Sequence, residues 1–139
     1  MIILDTNVVS EPLKPAPEPK VLAWLDNQVA ETLYLTSVNV AELLAGIETL
    51  PVGRRRTDLH RALTEQMMPL FEGRILPFDK KAAEAFARIN ASTKALGNPI
   101  SFADGMIAAI ASVHGFILAT QNENDFKGAG IELINPWAH

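Results

Sequence analysis

The chain has 139 residues, of which 48% are apolar and 20% are charged, a composition typical of a globular protein rather than a disordered one. This length predicts a single domain over residues 1–139. The net charge of −4 argues against broad electrostatic binding of nucleic acid, but it permits a site in which carboxylates hold metal ions.

Short apolar runs alternate with helical patterns along the chain. In chain order, we predict a strand at 2–4, a helix at 17–28, a strand at 33–37, helices at 38–50 and 55–71, a strand at 74–78, helices at 80–97 and 101–115, and strands at 116–120 and 131–135. Asp79 is placed to cap the helix that follows it, and Gly97 and Gly115 are placed to end helices. The alternation predicts an α/β fold with a parallel sheet covered on both faces.

Compartment and membrane association are also constrained by the sequence. The absence of cysteine excludes disulfides and thiolate metal sites, and it fits a reducing compartment. We expect no signal peptide, because the first residues lack a basic stretch followed by an apolar core. The longest apolar stretch, residues 106–113, is too short to span a bilayer. We therefore expect a cytoplasmic protein with no membrane segment.

Three acidic residues lie next to or among apolar residues of predicted strands and helices. Asp5 directly follows the first apolar strand, Glu42 has small or apolar helical neighbours, and Asp104 shares a helix face with apolar residues. Burying an unpaired carboxylate is costly, so such an acid needs a counter-charge, a metal ion or a raised pKa. Structural roles are also open: Asp5 suits a turn, and Glu42 and Asp104 each occupy the fourth position of a pattern that resembles a capping box.

The predicted topology favours convergence of these acids. Asp5 ends the first strand, Glu42 is expected in the first helical turn after the second strand, and Asp104 is expected in the first turn of a helix. Carboxyl ends of parallel strands lie along one edge, where open sheets bind ligands. Clustered carboxylates favour Mg²⁺ or Mn²⁺, which can activate water against a phosphodiester.

Other enzyme classes fit less well. A phosphatase of the haloacid-dehalogenase type needs a second aspartate two residues after the first, where this chain has Asn7. The first strand is not followed by the glycine-rich turn of dinucleotide-binding folds, and the chain has no serine-hydrolase elbow.

Five segments, in order, resemble the PIN-domain ribonucleases, and within them the FitB-like branch of the VapC-type toxins. They are ILDTNVVSE (3–11), VNVAELLAG (38–46), GRILPFD (73–79), SFADGMIAAIA (101–111) and LATQNENDFKGAGIELINPW (118–137). The resemblance implies a five-stranded parallel sheet with flanking helices and Mg²⁺- or Mn²⁺-dependent cleavage of RNA. It also implies that Asp5, Glu42 and Asp104 form the catalytic and metal-binding triad.

Supporting residues follow from the same resemblance. Thr6 matches a small hydroxyl residue that helps to position the first carboxylate, with Asn7 beside it. Many relatives read Thr-Arg-Asp at the fourth position, where this chain reads Thr120, Gln121 and Asn122. Asn122 is a neutral oxygen ligand at best, and Asp125 is a second candidate, although a plain loop explains both. This departure bears on a second metal ion more than on activity.

Toxins of this type pair with a small antitoxin whose tail usually lies over the acidic groove, and they form homodimers. The resemblance therefore implies an RNA substrate, an antitoxin partner, and a homodimer or toxin–antitoxin hetero-oligomer. Four arginines are candidates to face RNA or the antitoxin, although a solvated surface is also open: Arg54, Arg55, Arg56 and Arg74. The rival hypothesis is an RNA- or protein-binding module on the same scaffold, with weak or no catalysis.

Overall fold

Strands and helices alternate along the chain as predicted, in a computed structural model that describes residues 1–138. In order they are β1 (Ile2–Leu4), α1 (Thr6–Ser10), α2 (Pro19–Asp26), β2 (Leu33–Thr36), α3 (Ser37–Glu48), α4 (Arg54–Arg61), β3 (Ile75–Leu76), α5 (Lys80–Ala95), α6 (Phe102–His114), β4 (Ile117–Ala119) and β5 (Leu133–Ile134). None of the helices within these residues is long and apolar enough to cross a bilayer. The predicted α/β class is confirmed.

The five strands form one parallel sheet in the order β3-β2-β1-β4-β5. β1 is central, and its Ile2 pairs with Leu33 of β2 on one side and with Ile117 of β4 on the other. The chain leaves β1 toward β2 and later returns to the opposite side through β4, so the strand order reverses at β1. Parallel sheets bind ligands at such a switch point, outside the carboxyl ends of the strands. Asp5 lies at this position.

Apolar cores lie on both faces of the sheet, because side chains alternate along each strand. Ile3 and Leu118 face one core, to which α5 and α6 contribute apolar residues. Leu4 and Leu35 face the other core, which contains residues of α1, α2 and α3. The strands are thus buried on both sides, as an all-parallel sheet requires.

The predicted helix over residues 55–71 is wrong in its second half. The α-helical geometry ends at Arg61, a π-helical turn covers Ala62–Met67, and a 3₁₀ turn covers Met68–Phe71. Pro69 has no N–H to continue the α-helical bonds, and its ring crowds the preceding turn. The wider π turn allows Leu63 to be fully buried.

The predicted helix boundaries are confirmed at Asp79 and Gly115. The Asp79 carboxylate accepts a hydrogen bond from the Ala82 N–H at 3.0 Å. Gly115 ends α6 with a φ of +67°, a left-handed conformation that glycine adopts without strain. The short helix α1 was not predicted, since five residues are too few to display helical periodicity.

Candidate active site

Asp5 is a buried carboxylate at the junction of β1 and α1, with only 5% of the residue exposed. Its Oδ1 accepts a hydrogen bond from the Thr6 N–H at 2.8 Å, which caps α1. Its Oδ2 accepts from the Thr120 hydroxyl at 2.8 Å and from the Asn7 amide at 3.3 Å. Burial raises the pKa of Asp5 and the charge of Glu42 raises it further, whereas the bonds from Thr120 and Thr6 oppose that rise. Asp5 therefore caps α1, and its ionised form is destabilised by burial and by the charge of Glu42.

The loop after β4 is bonded to the loop after β1. Thr120 is fully buried, and its hydroxyl accepts a hydrogen bond from the Asn122 N–H at 3.1 Å while donating to Asp5. The Asn7 side-chain oxygen accepts from the Gln121 N–H at 3.2 Å. These contacts place Thr120 and Asn7 beside Asp5, where the sequence predicted supporting roles.

Glu42 lies in the second turn of α3 rather than in the first. The helix begins earlier than predicted, because Thr36 caps it and its hydroxyl accepts a bond from the Asn39 N–H at 3.1 Å. The capping role that the sequence left open for Glu42 is therefore wrong, since Thr36 and Asn39 form the capping box. Instead, its Oε1 accepts a hydrogen bond from the Thr6 hydroxyl at 2.8 Å. The Thr6 side chain thus binds Glu42, and only its backbone N–H binds Asp5.

Asp104 lies in the first turn of α6, as predicted. Ser101 caps this helix, and its hydroxyl accepts a bond from the Asp104 N–H at 3.2 Å. Burial raises the pKa of Asp104, the charge of Asp5 raises it further, and Asp125 adds a smaller effect in the same direction. A hydrogen bond with the Ser101 hydroxyl lowers it. Asp104 is thus close enough to Asp5 for the two charges to repel.

A divalent cation would match the chemistry of these oxygen donors. Asp5 feels the charge of Glu42, and Asp104 feels the charge of Asp5, so Asp5 is the central acid. Within residues 1–138 no three acidic or histidine side chains form a ready-made cage for one ion. Mg²⁺, however, is commonly bound by one or two carboxylates and several waters. Two partly buried acids with raised pKa values, Asp5 and Asp104, fit that mode of binding.

Asp125 lines the same cleft as Asp104, whereas Asn122 does not line it. Asp125 and Asp104 line one polar cleft of about 220 Å³, together with Ser101, Asn98 and Pro99. Asn122 lies outside this cleft, and its N–H is bonded to the Thr120 hydroxyl. Of the two candidates for the fourth position, Asp125 is therefore better placed to support an ion near Asp104.

Comparison with known proteins agrees with the observed fold. The PIN domain family matches residues 2–131. The chain belongs to the PIN-domain family. It is 47% identical to the VapC ribonuclease Y4jK of Sinorhizobium fredii over 137 residues, covering 99% of this chain and 98% of that protein. It is 45% identical to the toxin FitB of Neisseria gonorrhoeae over 137 residues, covering 99% of each.

A solved structure resembles the whole PIN domain. The crystal structure of FitAcB from Neisseria gonorrhoeae superposes with a TM-score of 0.96 at 45% identity and covers 100% of both chains. The predicted resemblance to VapC-type and FitB-like toxins is thereby confirmed, together with the five-stranded parallel sheet.

The four candidate arginines of this PIN domain differ in their environments. Arg55 lines a cleft of about 290 Å³ that also contains Thr6 and Glu42. Arg56 instead forms an ion pair with Glu48 at 2.6 Å, and Arg54 is exposed at the start of α4. Arg55 is therefore the best placed of these three to meet a ligand at the acids.

Arg74 is engaged within the fold. Its Nε donates to the Leu33 carbonyl oxygen at 2.9 Å, and another guanidinium nitrogen donates to the Leu70 carbonyl oxygen. The guanidinium also lies 5.9 Å from the centre of the Phe71 ring. Arg74 therefore joins β2 to the turn before β3. Because its guanidinium is engaged by these bonds, it is less available than Arg55 to bind RNA or an antitoxin.

Two buried polar residues of the site were not predicted as functional. Asn39 is fully buried behind Thr6, and its pattern was interpreted only as a helix cap. Glu11 is 3% exposed and binds the proline-rich segment next to the Glu42 cleft. Its Oε1 pairs with Lys14 at 2.9 Å, and its Oε2 accepts from the Glu18 N–H at 2.9 Å. The single sequence contains no signal for Glu11 beyond an acid preceding a run of prolines.

We expect Glu11→Gln to lower the Tm by about 3–8 °C, because the amide keeps an acceptor for Glu18 but loses the ion pair with Lys14. The Lys14 ammonium and the Glu18 N–H lower the pKa of Glu11 and outweigh burial, which raises it. The difference between wild type and variant is therefore full above the unfolded pKa of 4.5 and disappears as pH falls through the lower folded value. Thermal unfolding across pH, with Glu31→Gln on the surface as control, measures this; equal Tm values at neutral pH would contradict it.

Proposed function

We propose that this PIN domain is a Mg²⁺- or Mn²⁺-dependent endoribonuclease and acts as the toxin of a toxin–antitoxin pair. The observation that carries the proposal is the buried Asp5 carboxylate at the switch point of the sheet, near enough to Glu42 and Asp104 for their charges to interact. The similarity to a VapC ribonuclease and to a FitB toxin over nearly the whole chain supports the same activity and role.

The proposed roles follow from the contacts of each acid. When bound, a divalent ion supplies charge neutralisation at the phosphate and increases the acidity of a water molecule. Asp5 and Asp104 would hold it, and Asp125 lies in the same cleft as Asp104. Thr6 binds Oε1 of Glu42, which leaves Oε2 to bind the ion or to accept a proton. Thr120 and Asn7 keep the second oxygen of Asp5 in place.

We also propose that a small antitoxin covers the acids. The cleft that contains Thr6 and Glu42 has apolar walls from α3 and α4, and Lys14 and Arg55 lie at its margin. Such a lining suits a protein segment with apolar and charged side chains. FitB is a toxin, and the similar solved structure is that of FitAcB, which supports a hetero-oligomer here. A homodimer and action on cytoplasmic RNA belong to the same proposal.

The decisive experiment is cleavage of total cellular RNA by the purified protein, freed of any bound partner, with Mg²⁺ or Mn²⁺ and then with EDTA. Discrete fragments that form only with a divalent ion would support the nuclease, and the mapped fragment ends would identify the substrate. No cleavage by folded, partner-free protein with either ion would overturn the proposal. Growth arrest on expression without the partner, and its reversal by the partner, tests the role as a toxin.

A binding module with little catalysis is the second candidate. One observation favours it: Asn122 replaces the acid that many relatives carry, and it lies outside the cleft of Asp104. Such a protein would bind RNA equally well with and without a divalent ion and leave it intact. Gel-shift binding beside the cleavage assay separates the two functions.

A further inference from the structure

A chain of hydrogen bonds joins the end of β2 to Glu42 through the side chains of Asn39 and Thr6. The Asn39 side-chain oxygen accepts from the Thr36 N–H at 3.0 Å and from the Thr36 hydroxyl at 2.7 Å. The Asn39 side-chain nitrogen donates to the Thr6 hydroxyl oxygen at 3.2 Å. Thr6 in turn donates to Glu42 at 2.8 Å. Asn39 and Thr36 are both 0% exposed, so water does not compete for the bonds between these two residues.

The direction of every bond in this chain is fixed by its first member. A backbone N–H can only donate, so the Asn39 atom that faces Thr36 must be the oxygen. The amide nitrogen must then face Thr6, whose oxygen accepts from it. A hydroxyl has a single proton, so the proton of Thr6 remains for Glu42. The buried Asn39 amide thereby sets the direction of the Thr6 hydroxyl, which donates to Oε1 of Glu42.

We propose that Asn39 is a positioning residue for the proposed nuclease, which holds Glu42 in place by setting the direction of the Thr6 hydroxyl. This inference rests on the proposed function for its catalytic consequence. Its structural part is independent of that function, since the bonds among the four residues involve only protein atoms. Because Asn39 is fully buried, leaving its amide without a partner is costly.

Asn39→Asp separates positioning from simple helix capping. An aspartate keeps both acceptor bonds to Thr36, so a residue that only caps α3 would tolerate the change. An aspartate cannot donate to Thr6, however, and would instead accept a hydrogen bond from the Thr6 hydroxyl. The lone pairs of that hydroxyl would then face the Glu42 carboxylate. We expect a loss in kcat of about 10–100-fold with little change in KM for RNA.

A second substitution at Glu42 tests the direction of the bonds without an activity assay. In Asn39→Asp with Glu42→Gln, the glutamine amide can donate to the Thr6 oxygen, so both bonds of the Thr6 hydroxyl run in the reverse direction while the bonds to Thr36 are kept. In Asn39→Asp with Glu42→Ala, the charge of Glu42 is equally absent but no donor replaces it. We expect metal-free Asn39→Asp to lose about 3–10 °C in Tm, with recovery of about half in the glutamine double variant and less in the alanine one.

The cleavage assay and the thermal measurements distinguish failure of the proposed function from failure of the inference about Asn39. Wild type without metal-dependent cleavage would refute the proposed function and leave the thermal test of Asn39 intact. Cleavage by wild type together with unchanged kcat and Tm in Asn39→Asp would show that Asn39 only caps α3. Equal recovery by glutamine and alanine would attribute the effect to charge repulsion and overturn the inference. Thr6→Val, which removes the hydroxyl, should reproduce the loss, and Thr6→Ser, which keeps the hydroxyl, should lose less activity than Thr6→Val.

Discussion

Asp5→Asn is expected to lower metal-dependent RNA cleavage by at least about a thousandfold, because stabilisation of phosphate charge by a bound ion is worth several kcal/mol. Asp5 is the central acid of the site, since it feels the charge of Glu42 and raises the pKa of Asp104. An amide at this position removes the negative charge on which ion binding depends. The measurement is the initial rate of cleavage of one mapped RNA site at saturating Mg²⁺ or Mn²⁺.

Loss of folding is the main alternative explanation for such a result. The asparagine keeps an oxygen that can accept the Thr6 N–H, so the cap of α1 can survive. Circular dichroism and the Tm of the variant check this directly. Asp26→Asn at the exposed end of α2 is the matched control and should cleave at the wild-type rate. Retention of more than about a tenth of the wild-type rate by folded Asp5→Asn would contradict the central role of Asp5.

The sequence predicted the sheet well because its strands carry strong local signals. The short apolar runs at Ile2–Leu4 and Ile117–Ala119 are followed directly by polar residues, and both strands end where predicted or within one residue. The order of the strands in the sheet was not predicted. The acids were found from local signals as well, since Asp5 and Asp104 occupy strand and helix ends that could be read from the pattern.

What the sequence did not predict depends on contacts between distant segments. The Thr6 hydroxyl was assigned to the first carboxylate, but it binds Glu42, which is 36 residues away. Asn39 was interpreted as the start of a helix, yet its amide joins β2 to α1. A side chain with two possible partners gives no sign in a single sequence of which one it meets. Only the fold decides between them.

The arginines also show that contacts cannot be predicted from a single sequence, because residues adjacent in the chain have different partners in the fold. A run of three at positions 54–56 suggested a common surface, but Arg56 pairs with Glu48 and Arg55 lines the Glu42 cleft. Arg74, predicted to face a ligand, donates to backbone carbonyl oxygens instead. Charge clustering in sequence therefore identified a basic segment without telling which residues are free to meet RNA or a partner.

The second large effect is on stability, and it concerns the absence of a divalent ion. Burial, and after it the charges of neighbouring carboxylates, raise the folded pKa values of Asp5 and Asp104 above the unfolded value of 3.8. The folded protein therefore binds more protons than the unfolded chain in the window above that value, so the free energy of unfolding falls as pH rises through the folded pKa values. We expect the metal-free protein to lose stability from these two groups between acidic and neutral pH.

A difference measurement isolates this contribution. Glu11, whose pKa is lowered, changes stability with pH in the opposite direction, so the wild-type profile alone is ambiguous. Subtracting the profile of Asp5→Asn, and then that of Asp104→Asn, leaves the contribution of each acid. Urea unfolding at several pH values in EDTA gives these curves, with Asp26→Asn as the control that should match wild type. If the free energy of unfolding of wild type changes with pH in parallel with that of both variants, neither ionised acid destabilises the folded protein.

Addition of Mg²⁺ at neutral pH should reverse the loss, because the ion compensates the charges that burial penalises. An ion at about a hundred times its Kd adds about 2.7 kcal/mol, which corresponds to a rise in Tm of about 10 °C for a domain of this size. Asp5→Asn should lose most of this rise, and Asn39→Asp should lose less of it, since Asn39 acts only through Thr6 on Glu42. An equal rise in wild type and Asp5→Asn would place the ion away from the acids.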